Sequence, residues 1–139
     1  MGHGPLWDRM DGQRRWRARL LSASEVPRRP GVYAWYRQGR AVYVGKADEL
    51  CGRAWGNHMG NGASMGSSAF RRNVAEHLGF GTSADIKEQR VRLAANQLAE
   101  VRSWILRCSV AWIECGTIAD AVRLEKAMKL EWIPPLTKR

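Results

Sequence analysis

Tyr33 and Tyr43 stand ten residues apart in Gly31-Val32-Tyr33 and Tyr43-Val44-Gly45-Lys46, and Arg53 follows ten residues after the second. Two phenols that converge beside a guanidinium can position water and neutralise a phosphodiester. What must bring them together is a hairpin. Residues 31–36 and 40–46 are rich in Val, Tyr and Trp, which suit a pleated, half-buried surface. Between them, residues 37–39 read as a three-residue loop, with Gly39 taking the left-handed position at no Cβ cost. That loop pairs 36 with 40, 35 with 41, 34 with 42 and 33 with 43, so that Tyr33 faces Tyr43 and Gly31 faces Gly45. A two-residue loop would shift the register by one and send the tyrosines to opposite faces. Tyrosine pairs also pack across hairpins with no chemical role at all.

After the hairpin, Asp48 is a reasonable N-cap, and Leu50, Cys51, Ala54 and Trp55 recur at helical spacing as a buried stripe. Arg53 lies off that stripe, with Asn57 one turn further on. His58 continues the apolar side. The residues 117–133 read as another helix, with Ile118, Ala121, Val122, Met128 and Trp132 as its apolar face. Glu125 lands within that face. A carboxylate there is costly unless it is paired, reaches water or binds a metal. Glu131, near the helix end and off the stripe, reads as solvated.

The order Gly31-Val32-Tyr33, Tyr43-Val44-Gly45, Arg53 and then a distant helical Glu125 resembles the GIY-YIG nuclease family. Pro30 and Lys46, which flank the two glycine motifs, also occur in the incision subunit of bacterial nucleotide-excision repair. The hairpin and the helix after it, about thirty residues, carry most of the likeness. Leu124-Glu125 and the later Pro134-Pro135-Leu136 resemble the family's closing pattern. The resemblance implies a metal-dependent endonuclease that hydrolyses phosphodiester bonds of nucleic acid, with DNA the expected polymer. Tyr33 would orient or deprotonate water with help from Tyr43, and Lys46 or the metal would lower the phenol's pKa. Arg53 would grip the scissile phosphate, and Glu125 would hold one Mg²⁺ or Mn²⁺. Two positions depart from the pattern. Thr137 stands where the family commonly has asparagine. The histidine or tyrosine expected four residues after the arginine is replaced by Asn57, with His58 turned about 100° further round. His58 joins the catalytic candidates only if the helix ends there, which Gly56 and Gly60 favour.

The formal net charge of +10 comes mostly from arginines dispersed along the chain, as on a basic folded surface. Such a surface suits a polyanion, because neutralised phosphates release counterions. The length fits one domain, with no apolar run of membrane length and no signal peptide. The three cysteines form no Cys-x-x-Cys pair and suit a reducing, cytoplasmic setting.

The expected architecture is α+β: a small three-stranded antiparallel sheet, made of the 31–46 hairpin and a strand at about 109–114, flanked by helices. Residues 1–29 form an extension with a basic helix at 14–21, and residues 60–107 form a helical insertion. The basic helix offers Arg14 and Arg17 to nucleic acid or simply to solvent. Within the insertion, 60–66 is a Gly/Asn/Ser-rich loop, Ser67 and Ser68 can cap a helix ended by Gly79, and 96–107 forms a second helix. Arg71 and Arg72 sit in the first turn of the capped helix, where the helix dipole disfavours cations. A bound phosphate would relieve that conflict, which makes Ser67, Ser68, Arg71 and Arg72 a candidate backbone contact. They also read as plain surface arginines. A module of the same fold that binds nucleic acid without cutting it, or a basic subunit of a larger machine, fits the same features less fully.

Overall fold

The computed structural model of the chain describes residues 2–57, 65 and 68–138. The elements run α1 (Pro5–Asp11), β1 (Trp16–Arg17), β2 (Gly31–Arg37), β3 (Arg40–Ala47), a π-helical segment (Cys51–Asn57), α2 (Ala69–His77), α3 (Ser83–Lys87), α4 (Ala95–Leu106), β4 (Ser109–Glu114) and α5 (Ile118–Glu131). Two 3₁₀ turns, Ala18–Leu20 and Ala23–Glu25, link β1 to β2. The fold is α+β. The sheet has four antiparallel strands in the order β1-β4-β2-β3, one more than the sequence suggests.

The extra strand comes from the segment read as a basic helix. Trp16 and Arg17 pair with Val110 and Ser109, and the Ala18 N–H donates to the Cys108 carbonyl. Two strand residues are too few to show a period, so the Trp16, Leu20 and Leu21 spacing imitates a helix. Leu20, which would lie on the apolar side of such a helix with Trp16 and Leu21, is 69% exposed. The true N-terminal helix lies earlier. Pro5 opens it, where its missing N–H is no loss, and Trp7 and Met10 one turn apart are fully buried.

Alternation along β2 and β3 divides the core in two. Tyr33, Trp35, Tyr43 and Ala47 face a cluster that includes Phe70, Val74, Val101 and Ile105 of α2 and α4. Val32, Ala34, Tyr36 and Val44 face Trp7, Met10, Ala121 and Met128 of α1 and α5. Helices thus cover both sides of the sheet, which is why β2 is buried along nearly its whole length.

The hairpin differs from expectation in its register. Arg37 pairs with Arg40, and the loop is only Gln38-Gly39, with φ of 53° and 79°. Two positive φ values in a two-residue loop make a type I′ turn, whose twist matches the strands. By itself that turn would put the tyrosines on opposite faces. A β-bulge restores them: Tyr36 pairs with Ala41 and Trp35 with Tyr43, leaving Val42 as the additional residue. Tyr33 lies opposite Gly45, and Gly31 opposite Ala47. The tyrosines share a face as diagonal neighbours rather than as a direct pair.

Residues 68–107 form helices close to those expected, with the short α3 in addition. Ser68 caps α2 by accepting the Arg71 N–H, and Gly79, at φ 85°, follows its C-terminus. Thr117 caps α5 in the same way. The stripe on α5 is rotated from expectation: Ala121 and Met128 are buried, while Ile118 and Val122 are 50% and 38% exposed. Among the described residues, no helix is long and apolar enough to cross a membrane.

Candidate active site

Gly45 fixes where Tyr33 can lie. A Cβ at Gly45 would stand 2.5 Å from Tyr33 Oη and 2.7 Å from its Cζ, so the ring lies across the glycine. Gly31 is equally tight, since a Cβ there would meet the Ile113 carbonyl at 2.5 Å and Leu50 Cδ1 at 2.7 Å. The first motif glycine therefore admits the Leu50 side chain under the sheet, and the second admits the phenol. The ring centroids of Tyr33 and Tyr43 are 6.3 Å apart, tilted by 31°. The two hydroxyls are hydrogen-bonded to each other, a contact that raises the pKa of Tyr33 and lowers that of Tyr43.

Both phenols are held above their ordinary pKa, and burial is the main cause for each. For Tyr33 the neighbouring Tyr43 adds to the rise; for Tyr43 the next contribution is Glu125. Arg53 opposes the rise in both, and Arg72 opposes it in Tyr43. The two tyrosines thus lie within electrostatic reach of the same guanidinium and the same carboxylate. The expected lowering of the phenol by Lys46 does not occur. Lys46 alternates away from Tyr43 and Gly45, pairs with Val32, and is solvent-exposed on the other side of β3.

Arg53 projects from the π-helical segment as an exposed residue, off a stripe in which Leu50, Cys51 and Ala54 are buried. The segment is tied to the chain before β2, because the Leu50 and Cys51 N–H groups donate to the Arg29 and Pro27 carbonyls. π-Helical turns are uncommon and concentrate at functional sites.

Glu125 approaches from the opposite layer, around the outer edge of β3. Its side chain is 15% exposed, and Lys129 Nζ lies 3.5 Å from its Oε2. It lines a cleft of about 620 Å³ with Tyr43, Arg72, Asn73, Lys129 and Thr137. Glu131, expected to be solvated, is partly buried and hydrogen-bonded. Its carboxylate accepts the Leu6 and Trp7 N–H groups at 3.1 Å and so caps α1. Glu125, by contrast, bears electrostatically on both phenols.

The C-terminal segment closes the edge of β3. Leu136 N–H donates to the Val42 carbonyl at 2.8 Å, and Thr137 Oγ1 accepts the Val44 N–H at 2.9 Å. A hydroxyl is therefore enough to anchor the chain at this position.

Arg71 and Arg72, expected on the surface, are 5% and 8% exposed. Ser68 is fully buried and serves as the cap. Arg14 stacks on Trp16 at 3.6 Å, and Arg17 is exposed in β1. His58 and Ser67 lie outside the described residues. Sequence reasoning missed Asn73, which is 3% exposed and lines the cleft. A polar residue following two arginines in a helix gives no hint of that burial.

No group of three or more His, Cys, Asp or Glu gathers among the described residues. The donors present still fit a hard divalent cation shared with a phosphate. Mg²⁺ is commonly held by one or two carboxylates and completes its shell with water and phosphate oxygens. Glu125, largely buried and facing the cleft, is such a carboxylate.

No family model matches the chain, and neither a curated protein nor a solved structure matches it.

Proposed function

We propose that the chain is a metal-dependent endonuclease of the GIY-YIG type, acting on nucleic acid with DNA as the expected substrate. The observation that carries this reading is that Tyr33 of β2 and Tyr43 of β3 share a face of the hairpin and both lie within electrostatic reach of Arg53, from the π-helical segment, and of Glu125, from α5. A hairpin tyrosine pair with only a packing role does not need a guanidinium and a carboxylate beside it.

Glu125 would hold a Mg²⁺ or Mn²⁺ ion, which in such sites polarises the phosphate and stabilises the leaving oxygen. The residues divide the remaining work. Arg53 binds the phosphate and stabilises the charge that grows in the transition state. Burial keeps both phenols protonated at neutral pH, so Tyr33 and Tyr43 act by orienting water through hydrogen bonds. The basic surface supplies the long-range attraction for the polymer.

A module that binds nucleic acid without cutting it has one observation in its favour, the Lys129 ammonium that already partners Glu125. The deciding experiment incubates the pure protein with plasmid, branched DNA and RNA in Mg²⁺, Mn²⁺ or EDTA, alongside Glu125→Gln. The nuclease reading expects cleavage by the wild type that needs the metal, and binding without cleavage by the variant. A wild type that cuts none of the three under any condition favours the binding module. Equal cutting by Glu125→Gln, with the same metal requirement, removes Glu125 from the site.

A further inference from the structure

The cleft beside Tyr43 has a wall that neither the hairpin nor α5 provides. It comes from the helical insertion, through Arg72 and Asn73 of α2 and Ser83 and Lys87 of α3. Arg72 is 8% exposed, yet it lines the cleft. Its Nη1 donates to the Met65 carbonyl at 3.0 Å and its Nε to Ser83 Oγ at 3.3 Å. Those bonds hold the guanidinium in place. A long surface side chain loses rotamer freedom when it grips a ligand, whereas a fixed one has little left to lose.

Asn73 is the neighbouring residue on the same wall. Its Nδ2 donates to the Leu136 carbonyl at 2.7 Å. A carbonyl only accepts, so this bond fixes the orientation of the amide. The other end, Oδ1, is a buried acceptor without a hydrogen-bond partner among the described residues. Such an atom calls for a donor, either a bound water or a hydroxyl brought by a ligand. Lys87, Lys129 and Lys138 also line the cleft, against the carboxylates Glu76 and Glu125.

We infer that the insertion carries a second phosphodiester seat, in which Arg72 grips a backbone phosphate next to the one at Arg53 and Asn73 Oδ1 accepts from the water or hydroxyl that comes with it. This rests on the nuclease reading and extends it, because it makes the insertion part of the substrate path. The cleft volume is within the range that encloses one small ligand, so the seat takes a single strand of a nucleotide or two.

The test is equilibrium binding of a short labelled oligothymidine to the full chain in EDTA, over a range of salt. It compares the wild type, Arg72→Gln, Arg72→Lys and Arg71→Gln. Arg71 is as buried as Arg72 and adjacent to it, but is not among the residues lining the cleft, so it controls for a merely structural effect. The seat predicts that Arg72→Gln binds about tenfold or more weakly. Its slope of log affinity against log salt should be shallower by about 0.7, one phosphate of a single strand. Arg72→Lys should keep the slope and lose part of the affinity, and Arg71→Gln should keep both. If Arg72→Gln matches the wild type in affinity and slope, the seat is wrong. Equal losses in Arg71→Gln and Arg72→Gln also overturn it. Should Arg72→Gln not fold, Arg72→Lys decides, and unchanged affinity in that variant is the overturning result. A wild type that binds no oligonucleotide and cuts nothing in metal removes the nuclease reading as well. A wild type that binds and cuts while Arg72→Gln stays indistinguishable removes only the seat.

Discussion

Gly45→Ala adds one methyl group at the point where the hairpin and the phenol meet. The backbone of Gly45 is not among the positive-φ positions, so alanine brings no conformational strain. Replacing glycine by alanine at a compatible site would by itself stabilise the fold by about 0.4–1 kcal/mol. The steric effect opposes this. The new Cβ would lie 2.5 Å from Tyr33 Oη and 2.7 Å from Cζ, and Tyr33 is only 1% exposed, so its ring has nowhere open to go. Overpacking of this kind costs about 1–3 kcal/mol. Contact with two ring atoms, not the tip of a flexible chain, puts the cost towards the upper end. The net expectation is a loss of about 1–2 kcal/mol, or roughly 3–8 °C in melting temperature for a chain of this length. Thermal and urea denaturation followed by circular dichroism measure it. Tyr33→Phe removes the closest atom but leaves the ring. The double variant should therefore be more stable than the sum of the single losses implies, by about 0.5–1 kcal/mol. If the hydroxyl takes part in catalysis, a shift near 1 Å should also lower cleavage by about a hundredfold. A Gly45→Ala protein as stable as the wild type would refute the placement of Tyr33 over Gly45.

The other expectations follow from the same geometry. All three tyrosines of the chain have folded-state pKa values raised above the ordinary value near 10, mainly by burial. Their stabilising contribution is complete below about pH 10 and is lost as pH rises beyond it, because the unfolded chain releases those protons first. Tyrosinate absorbance should appear together with the loss of native circular dichroism; a phenol titrating near pH 10 in the folded protein would contradict this. Glu131→Ala should cost about 1–2 kcal/mol by uncapping α1, with cleavage unaffected at temperatures where the variant is folded. Loss of cleavage in folded Glu131→Ala would reopen its assignment as a structural cap. DNA binding should weaken with salt at a slope of about −0.9 per phosphate contacted on duplex, and a flat dependence would remove the nucleic-acid reading.

Strong local signals in the sequence correspond to what forms. Glycine and β-branched or aromatic residues mark β2 and β3. Ser68 and Gly79 bracket α2, and Thr117 starts α5. The approach of Tyr33 to Tyr43 was also legible, because it depends on side-chain parity along two strands. What escaped were features set by long-range contact. Two residues of β1 become a strand only because β4 offers an edge. Arg71 and Arg72 look like surface residues in a helical first turn, yet both are buried, and Arg72 is held by the Met65 carbonyl and by Ser83 of α3. The rotation of α5 is decided partly by α1, which docks through the Glu131 cap and the buried Trp7. Nothing local to α5 announces that Ile118 and Val122 will be outside.

The hairpin shows how a wrong local inference can still lead to the right face. Both a three-residue loop and a two-residue turn followed by a one-residue bulge place Tyr43 on the side of Tyr33, because each adds the same odd residue to one strand. The structure puts that residue at Val42, within the strand, and uses the tighter type I′ turn at the tip. The position has a consequence for the site. A bulge breaks the ladder locally and bends the strand. β3 is the edge strand, so the Val42 carbonyl faces outward, and the Leu136 N–H takes it. Thr137 then receives the next outward N–H, from Val44. The chain after α5 is thereby fastened alongside Tyr43, and the Leu136 carbonyl is placed where Asn73 can donate to it. Hairpin edge, tail and α2 are thus joined into one cleft wall beside the Tyr43 phenol, and the bulge is what sets that phenol on the same face as Tyr33.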